Sequence, residues 1–148
     1  MSKVKKLIST SPEETFSFGS EYAKELNPGD VTGLFGNLGS GKTQFVKGIC
    51  NYFDINDNVN SPTFIIVNEY SGRDRNTGSR LKINHFDLYR LNNINELIEV
   101  GPDNYMNSES ICLIEWAELA DKYLNGSLKK VYFEQGESET ERIITLKL

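Results

Sequence analysis

The chain of 148 residues has few of the residues that bind structural metals. It contains two cysteines, Cys50 and Cys112, without a Cys-x-x-Cys spacing, and a single histidine. A tetrahedral zinc site built from Cys and His needs more ligands than these residues supply. Both cysteines lie in apolar stretches, so we expect buried free thiols and the reducing conditions of the cytoplasm.

Long hydrophobic runs and an excess of basic residues are also missing. No run approaches the roughly 18 apolar residues that suggest a membrane span. The lysines of MSKVKKLIST are not followed by the apolar segment of a secretory signal, so we expect a cytoplasmic protein without membrane contact. The net charge is -5. Since Lys and Arg dominate binding to nucleic-acid backbones, we expect any contact with RNA to be made through a protein partner.

The strand and helix patterns alternate along a length that suits one domain, residues 1–148. This alternation predicts an α/β fold in which a mixed β-sheet is flanked by helices. After a short apolar start, residues 10–26 fit a helix with Thr10 or Ser11 as N-cap and Pro12 in its first turn. The polar segment 71–80 predicts a hairpin and hence an antiparallel component. Strands are predicted at 31–35, 61–70, 81–89, 111–116, 129–133 and 142–148, and helices from residue 42, at 92–101 and around 117–124.

A phosphate-binding loop follows the strand at 31–35. The segment GNLGSGKT matches G-x-x-x-x-G-K-[ST] at every fixed position and has a strand before it and a helix after it. Its glycines allow backbone N–H groups to converge on phosphate oxygens, and the helix N-terminus favours an anion. We expect Lys42 to reach the β- and γ-phosphates and the Thr43 hydroxyl to bind Mg²⁺. The candidate nucleotide-binding residues of the loop are Gly36, Asn37, Leu38, Gly39, Ser40, Gly41, Lys42 and Thr43.

Two carboxylates follow apolar strands. The strand ICLIEW carries Glu115 where a Walker B acid would lie beside the loop, although a surface glutamate at a strand end is an alternative. Asp87 in NHFDLYR could orient the attacking water, accept its proton or bind magnesium through water, and a cap of the following turn fits equally well. Thr63 of SPTF occupies a turn where many P-loop NTPases sense the γ-phosphate, but an ordinary turn threonine is the simpler interpretation. His85 is most simply a packed or hydrogen-bonded strand residue, and Trp116 an interior or interface aromatic.

The motifs GNLGSGKT, SPTF, HFDLYRL and ICLIEWAE, in this order, resemble those of the TsaE family, also called YjeE, over about residues 10–124. Members of that family are small bacterial P-loop ATPases required to make threonylcarbamoyladenosine in tRNA. The resemblance implies an ATPase that uses ATP and Mg²⁺ and works with the heterodimer of TsaB and TsaD. It also implies that TsaD is the transferase, and that tRNA is reached only through the complex.

The resemblance assigns roles by position as well. It implies that Thr63 is the switch-like threonine and that Asp87 is the acid needed for hydrolysis. Glu115 matches the acid linked to magnesium, and Trp116 matches its neighbour beside the nucleotide. Thr15 falls where the family approaches the adenine. With the loop pair, the implied catalytic residues are Lys42, Thr63, Asp87 and Glu115, and the implied magnesium ligands are Thr43 and Glu115.

Other classes of protein also contain such a loop. A small-molecule kinase would usually carry arginines on a lid, whereas Arg73, Arg75 and Arg80 share one polar segment. A GTPase would need an Asn-Lys-x-Asp motif, which the sequence lacks. A module that senses a nucleotide without hydrolysing it is the more serious alternative, but two acids beside one loop favour chemistry. No arginine is a clear candidate for contacting the phosphates, and Arg90 is the nearest by motif.

Overall fold

A computed structural model describes residues 3–37, 39–56, 58–60 and 66–147. The predicted site residues Leu38 and Thr63 lie outside these ranges. In the described part of the chain, no helix is long and apolar enough to cross a membrane. The strands are β1 (Val4–Ser9), β2 (Val31–Phe35), β3 (Val67–Arg73), β4 (Arg80–Asp87), β5 (Ser110–Glu115), β6 (Lys129–Gln135) and β7 (Arg142–Lys147). The helices are α1 (Pro12–Tyr22), α2 (Lys42–Tyr52), α3 (Ile94–Val100) and α4 (Glu118–Tyr123).

The strands form one sheet in the order β1-β7-β6-β2-β5-β4-β3. Its centre is parallel, because β2 pairs in parallel with β5 and β6, and β4 pairs in parallel with β5. The outer pairs, β1 with β7, β6 with β7 and β3 with β4, are antiparallel. The predicted α/β fold with a mixed sheet flanked by helices is therefore confirmed, as is the predicted hairpin between β3 and β4.

Among the differences from the sequence-based expectations, one concerns a strand that was not predicted and two concern where elements end. The apolar start, to which no element was assigned, forms the edge strand β1, which pairs with β7 from Val4 opposite Lys147 to Ser9 opposite Arg142. Its side chains are mostly exposed, so its own sequence shows little burial pattern and the pairing partner comes from the other end of the chain. β3 continues to Arg73, inside the segment expected to be a loop. The first α-helix ends at Tyr22, where a 3₁₀ turn replaces its expected last turn.

Helix α1 begins as the sequence suggests and packs closely on α2. The Ser11 side chain accepts a hydrogen bond from the backbone N–H of Glu14, so Ser11 rather than Thr10 is the N-cap. Two glycines lie where the helices touch. A Cβ atom at Gly19 would lie 2.1 Å from the carbonyl oxygen of Phe45, and one at Gly48 would lie 2.0 Å from that of Phe16. The missing side chains allow contact between the two backbones, which fixes α2 against its neighbour.

The substitution Gly48→Ala tests this close approach. In an open helix, alanine would be favoured over glycine by about 1 kcal/mol. Here the added methyl group meets backbone, so we expect it to lower the free energy of unfolding by about 1–3 kcal/mol in urea denaturation. Ser17→Ala on the exposed face of α1 is the control and should change little. A more stable Gly48→Ala protein would contradict the packing described.

Candidate functional site

The carboxyl ends of three neighbouring parallel strands meet at one edge of the sheet. The register places Glu115 of β5 opposite Leu34 of β2 and opposite Asp87 of β4. The glycine loop begins directly after β2 at Gly36. In open α/β sheets, ligands bind outside the carboxyl ends of the strands. The structure thus brings together the loop and the two acids that the sequence singled out.

The loop depends on glycine at both of its ends. Gly36 has a φ of +156°, and a Cβ atom there would lie 2.7 Å from the Ser40 hydroxyl oxygen and 2.8 Å from the Phe133 carbonyl oxygen. Gly41, the N-cap of α2, has a φ of +102°, in the left-handed region that other residues avoid. A side chain at Gly36 or Gly41 would therefore disturb the path of the loop into α2.

The N-terminus of α2 has features that suit an anion. Gly41 provides no side-chain cap, and the first turn of the helix contains no acidic residue. The first N–H groups of a helix have no partner within the helix, and the helix dipole places partial positive charge there. Ser40 is buried, and its hydroxyl oxygen has no hydrogen-bond partner among the described residues. Phosphate oxygens are acceptors that such N–H and hydroxyl groups can bind.

Lys42 is held inside the loop. Its side chain is only 4% exposed, and its ammonium donates to the carbonyl oxygens of Gly36 and Asn37, the latter at 3.1 Å. The ammonium also lies 4.2 Å from the centre of the Trp116 ring. Burial lowers the pKa of Lys42, and the nearby Glu115 and Asp87 act in the opposite direction. The cation is thereby positioned at the centre of the site.

A chain of hydrogen bonds links α2 to β5 and β4. The Thr43 hydroxyl lies 3.0 and 3.1 Å from the two carboxylate oxygens of Glu115. On its other side, Oε2 of Glu115 lies 2.6 Å from Nε2 of His85. Glu115 is 3% exposed and His85 is fully buried. Glu115 is therefore not the surface glutamate that was the alternative reading of its position.

Asp87 caps a turn and also lines the pocket. Its Oδ1 accepts a hydrogen bond of 3.0 Å from the backbone N–H of Tyr89, so it caps the turn after β4. It also lines the same pocket as Lys42 and Glu115. Partial burial raises the pKa of Asp87, with a further contribution from the negative charge of Glu115, while the Tyr89 N–H acts against it. A carboxyl group of this kind is a candidate proton acceptor.

Trp116 lies at the turn directly after the buried strand β5. It has a φ of +56°, unusual for a bulky residue, and its ring packs against that of Tyr89 at 4.8 Å between centres. The backbone turn brings the indole over the ammonium of Lys42. Trp116 therefore lines the pocket instead of continuing the strand into the core.

The pocket at this edge has a volume of about 530 Å³, within the usual range for small-molecule sites. The loop and the two acids form one side of it. Ser11, Pro12 and Thr15, at the start of α1, form another. Thr15 is 2% exposed, and its hydroxyl lies 2.7 Å from that of Ser9. Thr15 thus lines the same pocket as the glycine loop and the two acids.

The third wall of the pocket, which no sequence motif indicated, comes from the connection between β6 and β7 and from the first residue of β7. Glu139, Thr140 and Arg142 line it, and the Arg142 guanidinium donates to the carbonyl oxygen of Gly39 at 3.0 and 3.2 Å. Arg142 thus touches the loop, although the sequence had pointed to no arginine beyond Arg90, the nearest candidate by motif. The two bonded residues are 103 positions apart, and no local pattern of the sequence links them.

With the geometry established, comparison with known proteins identifies the family. The model of the family described as "Threonylcarbamoyl adenosine biosynthesis protein TsaE" matches residues 9–144. The tRNA threonylcarbamoyladenosine biosynthesis protein TsaE of Bacillus subtilis (strain 168) is 39% identical over 136 residues, which are 91% of this chain and 81% of that protein. The protein of the same name from Treponema pallidum (strain Nichols) is 33% identical over 111 residues, 75% of this chain and 77% of that protein.

A solved structure gives the same result. The crystal structure of Bacillus subtilis YdiB superposes with a TM-score of 0.78 at 33% sequence identity, covering 99% of this chain and 86% of that chain. The resemblance drawn from the four sequence motifs is therefore confirmed at the level of the family. The chain belongs to the TsaE family of proteins of tRNA threonylcarbamoyladenosine biosynthesis.

Proposed function

We propose that this protein is the Mg²⁺-dependent ATPase of the tRNA threonylcarbamoyladenosine machinery, acting in the cytoplasm with the TsaB–TsaD heterodimer and not itself the transferase. The observation that carries the proposal is the contact between the Thr43 hydroxyl and the Glu115 carboxylate. It joins the last residue of a complete G-x-x-x-x-G-K-T loop to the acid at the end of the adjacent parallel strand. This is the arrangement of a P-loop NTPase.

The residues of the loop fit a nucleotide triphosphate. Lys42 supplies a buried cation, and the uncapped N-terminus of α2 supplies backbone donors. The Ser40 hydroxyl, which has no hydrogen-bond partner in the part of the chain that the structure describes, adds one more donor inside the loop. In our proposal residues 36–43 bind the phosphates, while Thr15 and Trp116 lie beside the remainder of the ATP molecule.

The donor set also fits Mg²⁺ better than a metal held entirely by protein. Thr43 and Glu115 offer oxygen ligands, and no cluster of three or more His, Cys, Asp or Glu side chains suited to a metal occurs in the described ranges. Magnesium is usually bound by one or two protein oxygens together with substrate phosphates and water. When bound, Mg²⁺ would neutralise charge on the phosphate oxygens.

The remaining groups would position the water that attacks the γ-phosphate. Asp87 faces the pocket with a raised pKa, which suits a group that orients water and accepts its proton. Thr63, whose role rests on the sequence motif alone, is proposed to sense the γ-phosphate from the segment before β3. A change in that segment would let the state of the nucleotide alter the affinity for partners.

The contacts of Arg75 disfavour the kinase alternative. Arg75, one of the three arginines of the polar segment 71–80, donates to the backbone carbonyl oxygens of Asn51 and Tyr52 and pairs with Asp54. These contacts place it at the C-terminal end of α2. Lys42 begins the same helix, so the two ends are about 15 Å apart at 1.5 Å per residue. Arg75 thus stabilises the helix end and does not face the phosphate site.

We propose that the protein reaches tRNA through its partners. Its net charge of -5 disfavours direct binding to a nucleic-acid backbone. No second domain closes over the pocket in the described part of the chain, so exclusion of water would have to come from outside. A protein partner that completes the site would make hydrolysis depend on assembly.

Two substitutions should separate magnesium binding from turnover. We expect Glu115→Ala to weaken Mg²⁺-dependent ATP binding, because it removes the proposed ligand. We expect Asp87→Ala to leave ATP affinity within a few-fold of the parent and to reduce turnover by about 10²–10⁴-fold, the usual contribution of a positioned acid or base. Calorimetric ATP titration and single-turnover phosphate release, both with partners present, measure the two effects.

Because Asp87 also caps a turn, its replacement needs a control for structure. Asp87→Asn keeps an oxygen that can accept from the Tyr89 N–H, so it should retain the parental stability and still lose turnover. Hydrolysis at the parental rate by Asp87→Asn and Asp87→Ala would reduce Asp87 to a turn cap.

The proposed dependence on partners is tested by phosphate release. We expect slow hydrolysis by the isolated protein and a rate at least about tenfold higher when purified TsaB–TsaD is added without tRNA, because the open pocket gains a cover. The Lys42→Ala protein with the same heterodimer is the blank. Equal rates with and without the heterodimer would remove the partner-activation proposal and favour a self-sufficient ATPase.

A further inference from the structure

His85 is the only histidine of the chain, and it makes one polar contact that directs its ring. The ring is fully buried in β4, with Nε2 2.6 Å from Oε2 of Glu115. Its other nitrogen, Nδ1, is buried without a hydrogen-bond partner among the described residues. Since a carboxylate only accepts, the nitrogen that faces Glu115 carries the proton. The orientation of the ring is therefore set by Glu115 and by packing, including the Tyr70 ring 6.5 Å away.

The strand geometry explains why His85 can support this acid. His85 and Asp87 are two residues apart on β4 and so point to the same face of the sheet. Asp87 lies opposite Glu115 in the register, while His85 lies opposite Leu113, two residues further from the carboxyl ends of the strands. Asp87 therefore lies next to Glu115 at the edge that forms the pocket, and His85 lies on the core side of Glu115.

Glu115 needs such support because its environment is unfavourable for a carboxylate. It is 3% exposed and lies beside Asp87, a second acid. A buried carboxylate is costly unless hydrogen bonds satisfy it. Thr43 and His85 both donate to the Glu115 carboxylate in this structure. Thr43 is also a proposed magnesium ligand, so its hydroxyl oxygen would face the metal when the metal is bound. The hydrogen bond from His85 reaches Glu115 from the core. It therefore does not compete with a metal that approaches the carboxylate from the pocket.

We propose that His85 is a positioning residue that fixes the Glu115 carboxylate in the orientation needed to bind Mg²⁺ together with Thr43. The inference deepens the proposed function and rests on it. His85 touches neither nucleotide nor metal in this account. It acts by donating a hydrogen bond to Oε2 of Glu115 from the core side, so that the carboxylate cannot rotate away from α2. Partners that hold a metal ligand in place typically contribute 10–100-fold to metal affinity.

The test compares three variants by ATP binding during a Mg²⁺ titration and, separately, in excess EDTA. His85→Leu removes the donor and keeps an apolar side chain of similar reach. His85→Gln can place an amide N–H where Nε2 stands, so it should restore the contact. Asn84→Leu is the matched control, because Asn84 is equally buried on the same strand but faces the other side, where it donates to the Tyr105 carbonyl oxygen.

We expect His85→Leu to need about 10–100 times more Mg²⁺ for half-maximal binding, with an unchanged affinity for ATP in EDTA. His85→Gln should recover most of the loss, and Asn84→Leu should need as much Mg²⁺ as the parent whatever its stability. A parental Mg²⁺ requirement in His85→Leu, or a loss in His85→Gln as large as in His85→Leu, would overturn the inference. If the parent itself shows no Mg²⁺-dependent binding, the proposed function fails first.

A second measurement needs no variant and decides the matter if His85→Leu does not fold. Because the chain has one histidine, the imidazole region of an untagged ¹⁵N-labelled protein contains a single ring system. We expect one Nε2–H signal protected from exchange with water, which persists when Mg²⁺ and a non-hydrolysable ATP analogue are added. Loss of that signal on addition of Mg²⁺ and the analogue would show that Glu115 leaves His85 on binding, which overturns the inference.

Discussion

The carboxylate of Glu115 is the group on which the site depends. It accepts from Thr43, 72 residues away at the start of α2, and from His85, 30 residues away on β4. A single buried acid thus links the glycine loop to two strands of the sheet. Such an acid is stable only where every neighbour is in place, so its position and the fold around it are determined together.

The fold meets that requirement through its parallel centre. Pairing of β2, β5 and β4 places the ends of three strands side by side and sets Glu115 opposite Asp87. The close contact of α1 with α2 at Gly19 and Gly48 then fixes the helix that follows the glycine loop. The pocket lies between this edge of the sheet, the start of α1 and the connection between β6 and β7.

Most of the fold and the centre of the site could be predicted from sequence because their signals are local. The G-x-x-x-x-G-K-T loop encodes its own geometry in glycines, and the unbroken apolar run of β5 indicates a strand buried on both faces. The sequence predicted His85 as a packed or hydrogen-bonded strand residue, and the structure confirms it. β1, the contact of Arg142 with the loop and the partner of His85 could not be predicted, because each depends on a contact between distant parts of the chain. Asp87 shows the intermediate case, since a turn cap and a pocket-facing acid have the same sequence signal and the structure shows both features.

The most direct test of the account is calorimetric titration of MgATP into the parent and the Lys42→Ala protein, with Lys47→Ala on the same helix as the control. Lys42 is the cation at the centre of the loop, and a hydrogen bond to a charged group contributes about 1.5–3 kcal/mol. We expect binding by the parent and by Lys47→Ala, and an affinity reduced by about 10–100-fold in Lys42→Ala. Equal affinity in all three proteins would show that the glycine loop is not the nucleotide site.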